Sequence, residues 1–249
     1  MATIKRSIAN ALGWALNASI VRRGTLATMF EKEHLKRFVT ELKVDCVFDV
    51  GANDGQYAEM LREIGFLGPI ISFEPIPELA KQIRERAQRD VNWYAEEIAL
   101  DDSEHTASFN VMQSSQFSSL KTPSHAETTR FEKENSIAYA LEIKTALLSS
   151  YFDRYQAQLG FQRPFLKMDT QGNDLAVARG AGSRLSSFVG LQSELAIKRI
   201  YASADDYRTA LDFYHDAGFE LSAFVPNNLG HFPVLIEIDC IMFNSKLVS

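Results

Sequence analysis

Hydrophobic and polar positions along the 249-residue chain follow two patterns in alternation. Short runs that are apolar throughout are typical of strands covered by helices on both faces. Between them, apolar residues recur at helical spacing, as in Glu31–Leu42, Tyr57–Ile64 and Glu78–Arg89. The strand-like runs are Cys46–Val50, Ile70–Glu74, Trp93–Ile98, Phe165–Asp169, Phe188–Leu195, Phe219–Val225 and Val234–Phe243. The alternation predicts an α/β fold with one sheet of about seven strands, mostly parallel with an antiparallel C-terminal strand, and helices on both faces.

Two parts of the chain depart from this pattern. Residues 1–44 precede the first strand and are predicted to form an N-terminal helical extension of a domain that spans 45–249. Within this extension, Met1–Arg23 carries basic residues around an apolar stretch, and it is either a packing helix or a helix that lies on a membrane surface. Gln113–Ser136 is polar and aperiodic, which predicts a lid over an active site or an insertion.

Charge and cysteine content exclude several classes of protein. The net charge is −6 and the basic residues are scattered, so nucleic acid is not expected as a partner. Cys46 and Cys240 each lie in an apolar run, which favours free thiols in a reducing cytoplasm. No apolar run is long enough for a membrane-spanning helix. The histidines have no metal-ligand spacing, so no protein-made metal site is predicted, although His231 is an alternative catalytic base.

The clearest candidate site is the turn Gly51–Gly55, between the first predicted strand and the helix after it. Its glycines permit a tight turn and close approach of a ligand to the backbone, and the helix start offers free N–H groups. The spacing G-x-N-x-G does not match the dinucleotide pattern G-x-G-x-x-G, and no Gly-Lys-Ser/Thr of a P-loop follows. The turn therefore either binds a different small cofactor or only connects two elements.

Acidic residues follow three other predicted strands. Glu74, followed by Pro75, is placed to accept hydrogen bonds from a ribose diol, although it is alternatively a solvated acid at a strand end. Strand alternation puts Lys167 and Asp169 on one face at the ligand-binding edge, where they are functional residues or a structural ion pair. Glu194 is expected at the same edge and is a plausible substrate contact.

The segment Phe48-Asp49-Val50-Gly51-Ala52-Asn53-Asp54-Gly55-Gln56 resembles the first motif of FkbM-type methyltransferases, which are class I enzymes that use S-adenosylmethionine. Lys167 to Gly172 is similar to the K-x-D-x-[QE]-G block of the same family. The resemblance implies a Rossmann-like fold with S-adenosylmethionine as cofactor. It places the methionine part of the cofactor beside Asp49, Gly51, Ala52, Asn53 and Gly55, and the adenine beside Ile98, Ala99 and Leu100.

The same resemblance implies methylation of a hydroxyl oxygen on a small molecule or a sugar. Asp169 is then expected beside the transferred methyl group, with Lys167 setting its charge state and Glu194 binding the acceptor. The alternatives are an N-methyltransferase, a metal-assisted O-methyltransferase, and a cofactor-binding protein without catalysis.

Overall fold

The computed structural model describes residues 26–226 and 233–248. The predictions for Met1–Arg23 and for His231 therefore concern parts of the chain that lie outside the described residues. The described helices are α1 (Leu26–Glu41), α2 (Gln56–Glu63), α3 (Pro77–Ala87), α4 (Leu148–Leu159), α5 (Asp174–Gly180) and α6 (Tyr207–Asp216). The strands are β1 (Cys46–Val50), β2 (Ile70–Phe73), β3 (Trp93–Glu96), β4 (Ala99–Leu100), β5 (Thr106–Met112), β6 (Ile137–Ala146), β7 (Pro164–Met168), β8 (Gly190–Ala196), β9 (Phe219–Pro226) and β10 (Glu237–Asn244).

A seven-stranded sheet organises the molecule, in the order β3-β2-β1-β7-β8-β10-β9. The first five of these strands run parallel, and β10 lies antiparallel between β8 and β9. The order reverses at β1, from which the chain first adds strands on one side and later on the other. Such a switch point opens a crevice at the carboxyl ends of the strands, where ligands bind in open α/β sheets. The predicted fold class is confirmed.

Helices cover both faces of this sheet. On one face, α1 and α2 contribute Leu35, Phe38 and Leu61 to a core over Val47 and Phe165. On the other face, side chains of α4, α5 and α6 pack over β1, β2, β7 and β8. There Phe48 lies at the centre of an aromatic group, with ring centroids 5.4–6.2 Å from four other phenylalanines. Because Leu35 and Phe38 of α1 belong to the core on the first face, residues 26–41 are packed as part of the same unit as the sheet.

A smaller sheet of three strands, β4-β6-β5, stands beside the large one. The predicted strand Trp93–Ile98 was too long, because the chain leaves the large sheet after Glu96 and Ala99 then pairs with Thr145 of β6. Strand β6 begins at Ile137, with a run of five apolar residues. Its outer residues are exposed, so alternation is missing from the first half of the strand.

The segment 113–136 leaves β5 and returns to β6. It contains a short 3₁₀ turn, Ser115–Phe117, and Ser119 pairs with Asn110 while Pro123 pairs with Tyr201 in isolated bridges. The buried amide of Asn135 donates to the carbonyl of Ile200 at 2.9 Å. These contacts tie the segment to β5 and to the chain after β8, so it is packed against the body of the protein. Its role as a lid stays a prediction.

Candidate functional site

A cavity of about 280 Å³ lies at the carboxyl ends of β1, β2, β7 and β8, where the switch point predicts a ligand. Its lining runs from the residues after β3 to the start of β10, which follows the strand order across the edge of the sheet. The residues that line it are Val50, Gly51, Asn53, Gln56, Phe73, Glu74, Pro75, Ile98, Ala99, Leu100, Phe109, Ser115, Gln116, Phe117, Ser118, Leu120, Asp169, Thr170, Gln171, Asn173, Glu194 and Glu237.

The floor of the cavity is the loop Gly51–Gly55. Gly51 has a φ of 76°, and a Cβ atom built there would stand 1.9 Å from the carbonyl oxygen of Asp169. Only glycine therefore lets the end of β1 pass this close to the end of β7. Gly55 has a φ of 91°, and a Cβ atom there would lie 2.8 Å from the ring of Trp93. Gly55 thus allows the loop to enter α2 against the core without lining the cavity itself.

Glu74 stands where β2 ends and is 5% exposed. Its Oε2 accepts the backbone N–H of Asn53 at 2.9 Å, and its Oε1 accepts that of Ile76 at 2.9 Å. Burial raises the pKa of Glu74 to about 7, against the lowering effect of these two hydrogen bonds. Each carboxylate oxygen still has a free lone pair. Glu74 therefore holds the glycine loop in place through a hydrogen bond, and it can also accept hydrogen bonds from a diol in the cavity.

The β3 side of the cavity is mainly apolar. Ile98, Ala99 and Leu100 line it together with Phe109 and Leu120 from the second sheet and the segment after it. A flat aromatic base fits such a wall, because its faces need apolar contact and its edge needs few polar partners. The three residues expected beside an adenine are thus brought to the cavity, and the sequence did not indicate the two that complete the wall.

Two predicted site residues, Asp49 and Lys167, lie beneath the glycine loop rather than in the cavity wall. Lys167 Nζ is 3.0 Å from Asp49 Oδ1 and donates to the carbonyl of Gly51 at 2.9 Å. Burial lowers the pKa of Lys167, but Asp49 and then Asp169 outweigh it, so the pKa is raised overall. The lysine is charged at neutral pH and fixes the carbonyl of the loop from below. Ala52, also predicted at the cofactor, is buried in the core and does not line the cavity.

The opposite end of the cavity is acidic. Asp169 follows β7, Glu194 lies on β8, and Glu237 begins β10. Burial, and next the charge of Glu237, raises the pKa of Glu194 well above its usual value. Burial, and next the charge of Asp169, raises the pKa of Glu237 to about 8. Among the described residues that line the cavity there is no Lys, Arg or His to balance these acids.

Sequence reasoning missed several residues of this acidic end. Gln171 donates to both Asp169 and Glu194, and Tyr201 donates to Gln171. Gln171 belongs to the K-x-D-x-Q-G block, which marked its importance without indicating its contacts. Glu237 was detectable from β-strand alternation, because it shares a face with Asp239 in the last strand. Nothing in the sequence pattern indicated Tyr201, which follows β8 in an irregular connection.

The fold and the cavity together define a class of protein. A seven-stranded sheet with one antiparallel strand next to the last position, a glycine loop after β1 and an acid after β2 are the arrangement of Rossmann-like methyltransferases. The sequence agrees with this class, because residues 49–221 match the family model described as the methyltransferase FkbM domain. The chain therefore belongs to the FkbM methyltransferase family.

Solved structures with similar folds are distant in sequence. The methyltransferase FkbM of Methylobacillus flagellatus KT is 13% identical, with a TM-score of 0.46 over 80% of this chain and 43% of that one. This chain thus spans less than half of the length of that protein. The magnesium protoporphyrin IX methyltransferase of Synechocystis PCC 6803, solved with bound S-adenosylmethionine, is 13% identical, with a TM-score of 0.43 over 98% of this chain and 96% of that one.

Fibrillarin of Aeropyrum pernix, solved with natively bound S-adenosyl-L-methionine, is 12% identical, with a TM-score of 0.41 over 80% of this chain and 66% of that one. No curated protein matches the chain. Across residues 26–226 and 233–248, no helix is long and apolar enough to cross a bilayer. In the same residues, no group of three or more His, Cys, Asp or Glu is arranged to hold a metal ion.

Proposed function

We propose that the protein transfers a methyl group to a hydroxyl oxygen of an uncharged small molecule, such as a sugar or another polyol. The observation that carries this proposal is the composition of the cavity wall. Glu74, Asp169, Glu194 and Glu237 are the ionisable groups among its described residues, and all four are acids. A carboxyl group hydrogen-bonds a hydroxyl in either protonation state, whereas a phosphate or a carboxylate on the acceptor would meet no cation among these residues and, once the acids ionise, like charge.

The cofactor is proposed to lie along the cavity in one direction. Ile98, Ala99 and Leu100 are suited to the adenine and Glu74 to the ribose diol. The loop from Gly51 to Asn53 is suited to the methionine part, together with Pro75, which also lines the cavity. The positions of these residues support this direction, since the apolar wall and the acidic end lie on opposite sides of the glycine loop along the sheet edge. When bound, S-adenosylmethionine supplies a methyl group on a sulfonium centre, which is an activated leaving group.

The residues of the chain then have to align the acceptor and receive its proton. Asp169 is the proposed proton acceptor, because it ends β7 beside the glycine loop and its side chain faces the cavity. Glu194 is proposed to bind the acceptor hydroxyls. Lys167 acts indirectly, since it holds the Gly51 carbonyl and the Asp49 carboxylate in place below the loop. Asp49 is thus a support of the loop in this proposal.

Amines are a second class of acceptor that the acidic wall favours, because carboxylates attract a protonated amine. A protonated amine has no free lone pair, so it must lose a proton to Asp169 or to water before it accepts a methyl group.

We also propose that nucleic acid is not a substrate, since a polyanion would meet the acidic wall and a net charge of −6. The two buried cysteines are free thiols, which supports a cytoplasmic location.

The test is transfer of labelled methyl from S-adenosylmethionine to a panel of neutral glycosides and polyols, the matching sugar phosphates, amines and RNA. We expect turnover on a neutral hydroxyl compound and none on its phosphate. Asp169→Asn should reduce that turnover by roughly 10²–10⁴-fold, the range for loss of a general base. Asp216→Asn, at the exposed end of α6, is the matched control. Preferred methylation of a phosphorylated acceptor or of RNA would contradict the proposal.

A further inference from the structure

The side-chain amide of Gln171 joins the two carboxylates that the proposed function assigns to the acceptor. Its Nε2 lies 2.9 Å from Asp169 Oδ1 and 2.8 Å from Glu194 Oε2. An amide nitrogen carries two hydrogens, so each carboxylate receives one of them. The hydroxyl of Tyr201 lies 2.9 Å from Gln171 Oε1. Because a hydroxyl can donate to an amide oxygen, this contact fixes which end of the amide faces the carboxylates.

The backbone holds Gln171 in a conformation that few residues adopt without support. Its φ is 54°, in the left-handed region. On one side, the backbone N–H and the hydroxyl of Thr170 both donate to Asp174, at 2.7 Å and 2.6 Å. From the segment 113–136, Ser119 Oγ donates to the carbonyl of Gln171 at 2.7 Å. Gln171 is 7% exposed. A strained backbone kept by several contacts is typical of functional sites.

Tyr201 extends this arrangement to the segment 113–136, five residues of which line the cavity. Its hydroxyl is also 2.7 Å from the carbonyl of Phe117, so its single proton is shared between that carbonyl and Gln171. Tyr201 is 2% exposed, and its neighbour Ala202 donates its backbone N–H to Thr122 at 2.8 Å. One buried hydroxyl thus connects the amide that holds the carboxylates with the 3₁₀ turn over the cavity.

We propose that Gln171 is a positioning residue that holds Asp169 and Glu194 in their cavity-facing orientation, and that Tyr201 links this orientation to the segment 113–136. The inference rests on the proposed function of these carboxylates at the acceptor. Without the two N–H groups, the two side chains would repel each other, and Glu194 would take up a proton more readily, because hydrogen bonds to the charged form favour it. The role is indirect, since Gln171 acts through the two acids.

The electrostatic surroundings of the pair include several other groups. Glu237 and Asp239 from β10 and Asp174 from α5 raise the pKa of Glu194, and Asp169 does so as well. Lys167 faces Asp169 from β7 and carries positive charge. Burial and then Glu194 raise the pKa of the Tyr201 hydroxyl, so it stays protonated across the range of the test.

The pH dependence of cofactor binding measures the ionisation of these acids without a known acceptor. S-adenosylmethionine carries a positive sulfonium, whereas S-adenosylhomocysteine is neutral there and otherwise alike. Calorimetry gives the ratio of the two affinities between pH 6 and 8.5. We expect this ratio to favour S-adenosylmethionine increasingly as pH rises, because the carboxylates near the sulfonium ionise. Contributions of Glu74 cancel in the ratio, since both ligands carry the same ribose.

Gln171→Leu should move the midpoint of this rise to higher pH by about one unit, a tenfold change in the ionisation constant. Gln171→Asn keeps an amide and tolerates a positive φ, but its side chain is one methylene shorter and does not reach both acids. Gln171→Asn should shift the midpoint in the same direction, and it provides the test if Gln171→Leu does not fold. Gln158→Leu, on the exposed face of α4, is the control that leaves the midpoint unchanged.

Tyr201→Phe should leave the fold intact and speed amide hydrogen exchange in the segment 113–136, while Tyr139→Phe on the exposed face of β6 should not. An unchanged midpoint in both folded Gln171 variants, or a ratio that does not vary with pH in the wild type, overturns the positioning role. Failure of the wild type to bind S-adenosylmethionine at all instead overturns the proposed function, and the positioning role with it. These outcomes are distinguishable, because an unchanged midpoint and a ratio that does not vary with pH are both measured on protein that binds the cofactor.

Discussion

Replacement of Glu74 by Gln tests whether this carboxylate holds the ribose of the cofactor. The pKa of Glu74 is raised to about 7, chiefly by burial. A ribose diol donates hydrogen bonds to the ionised form, so binding favours loss of the proton. With this pKa the ionised fraction rises from about 0.09 at pH 6 to about 0.91 at pH 8. The affinity for S-adenosylhomocysteine should therefore rise about tenfold over this interval.

Calorimetric titration of S-adenosylhomocysteine at pH 6, 7 and 8 measures this effect. Gln has one oxygen where Glu has two, so it leaves either the Asn53 or the Ile76 N–H without its acceptor. Glu74→Gln should weaken binding at pH 8 by roughly 1.5–3 kcal/mol, the range for a hydrogen bond to a charged group, and remove most of the pH dependence. Glu78→Gln, exposed in the first turn of α3, is the control. A flat profile in the wild type, or a tenfold rise that persists in Glu74→Gln, refutes the reasoning.

Three further predictions concern the loop, the ion pair beneath it and the segment above it. Gly51→Ala should abolish cofactor binding and lower the melting temperature, because its Cβ would stand 1.9 Å from a carbonyl oxygen. Gly160 also has a positive φ, but a Cβ atom there meets no atom within 4 Å, so comparing the melting temperatures of Gly51→Ala and Gly160→Ala separates the steric clash from the backbone strain. Lys167→Met leaves a buried carboxylate without its cation and should cost about 3–5 kcal/mol in the free energy of unfolding, measured with urea, while Lys81→Met, at an exposed ion pair, should cost under about 1 kcal/mol. Limited proteolysis should cut 113–136 first in the free protein, and cofactor should slow this cleavage; equal rates would leave the segment a fixed insertion.

The central strands β1, β2 and β7 of the large sheet were predictable from sequence because each is buried throughout, between helices on both faces. Cys46–Val50 is fully buried in the structure, and its apolar pattern is therefore continuous. Strand β6 behaves differently, since its first four residues, Ile137–Ala140, are apolar but exposed, so an apolar run does not mark burial there. Burial on both faces thus decides how much of a strand the sequence reveals.

The site was predicted correctly where the residue type itself indicates a specific structural or chemical role. Two glycines bracketing a turn, and an acid after the next strand, indicated a cavity edge, and Gly51 and Glu74 both line the cavity. Lys167 was less well assigned, because strand alternation gives the face on which a side chain lies but not its partner. Its Nζ reaches down to Asp49 rather than into the cavity. Tyr201 was not predictable, since its contacts depend on how an irregular connection returns to the site.

The most direct test of the central claim is calorimetry of the purified protein with S-adenosylmethionine, S-adenosylhomocysteine and NAD at pH 8. The glycine loop lacks the third glycine of a dinucleotide fingerprint, and the acidic end of the cavity offers no cation to a pyrophosphate. We expect both sulfur nucleotides to bind with one site per chain and NAD to produce no measurable heat. Tighter binding of NAD than of either sulfur nucleotide would contradict the account.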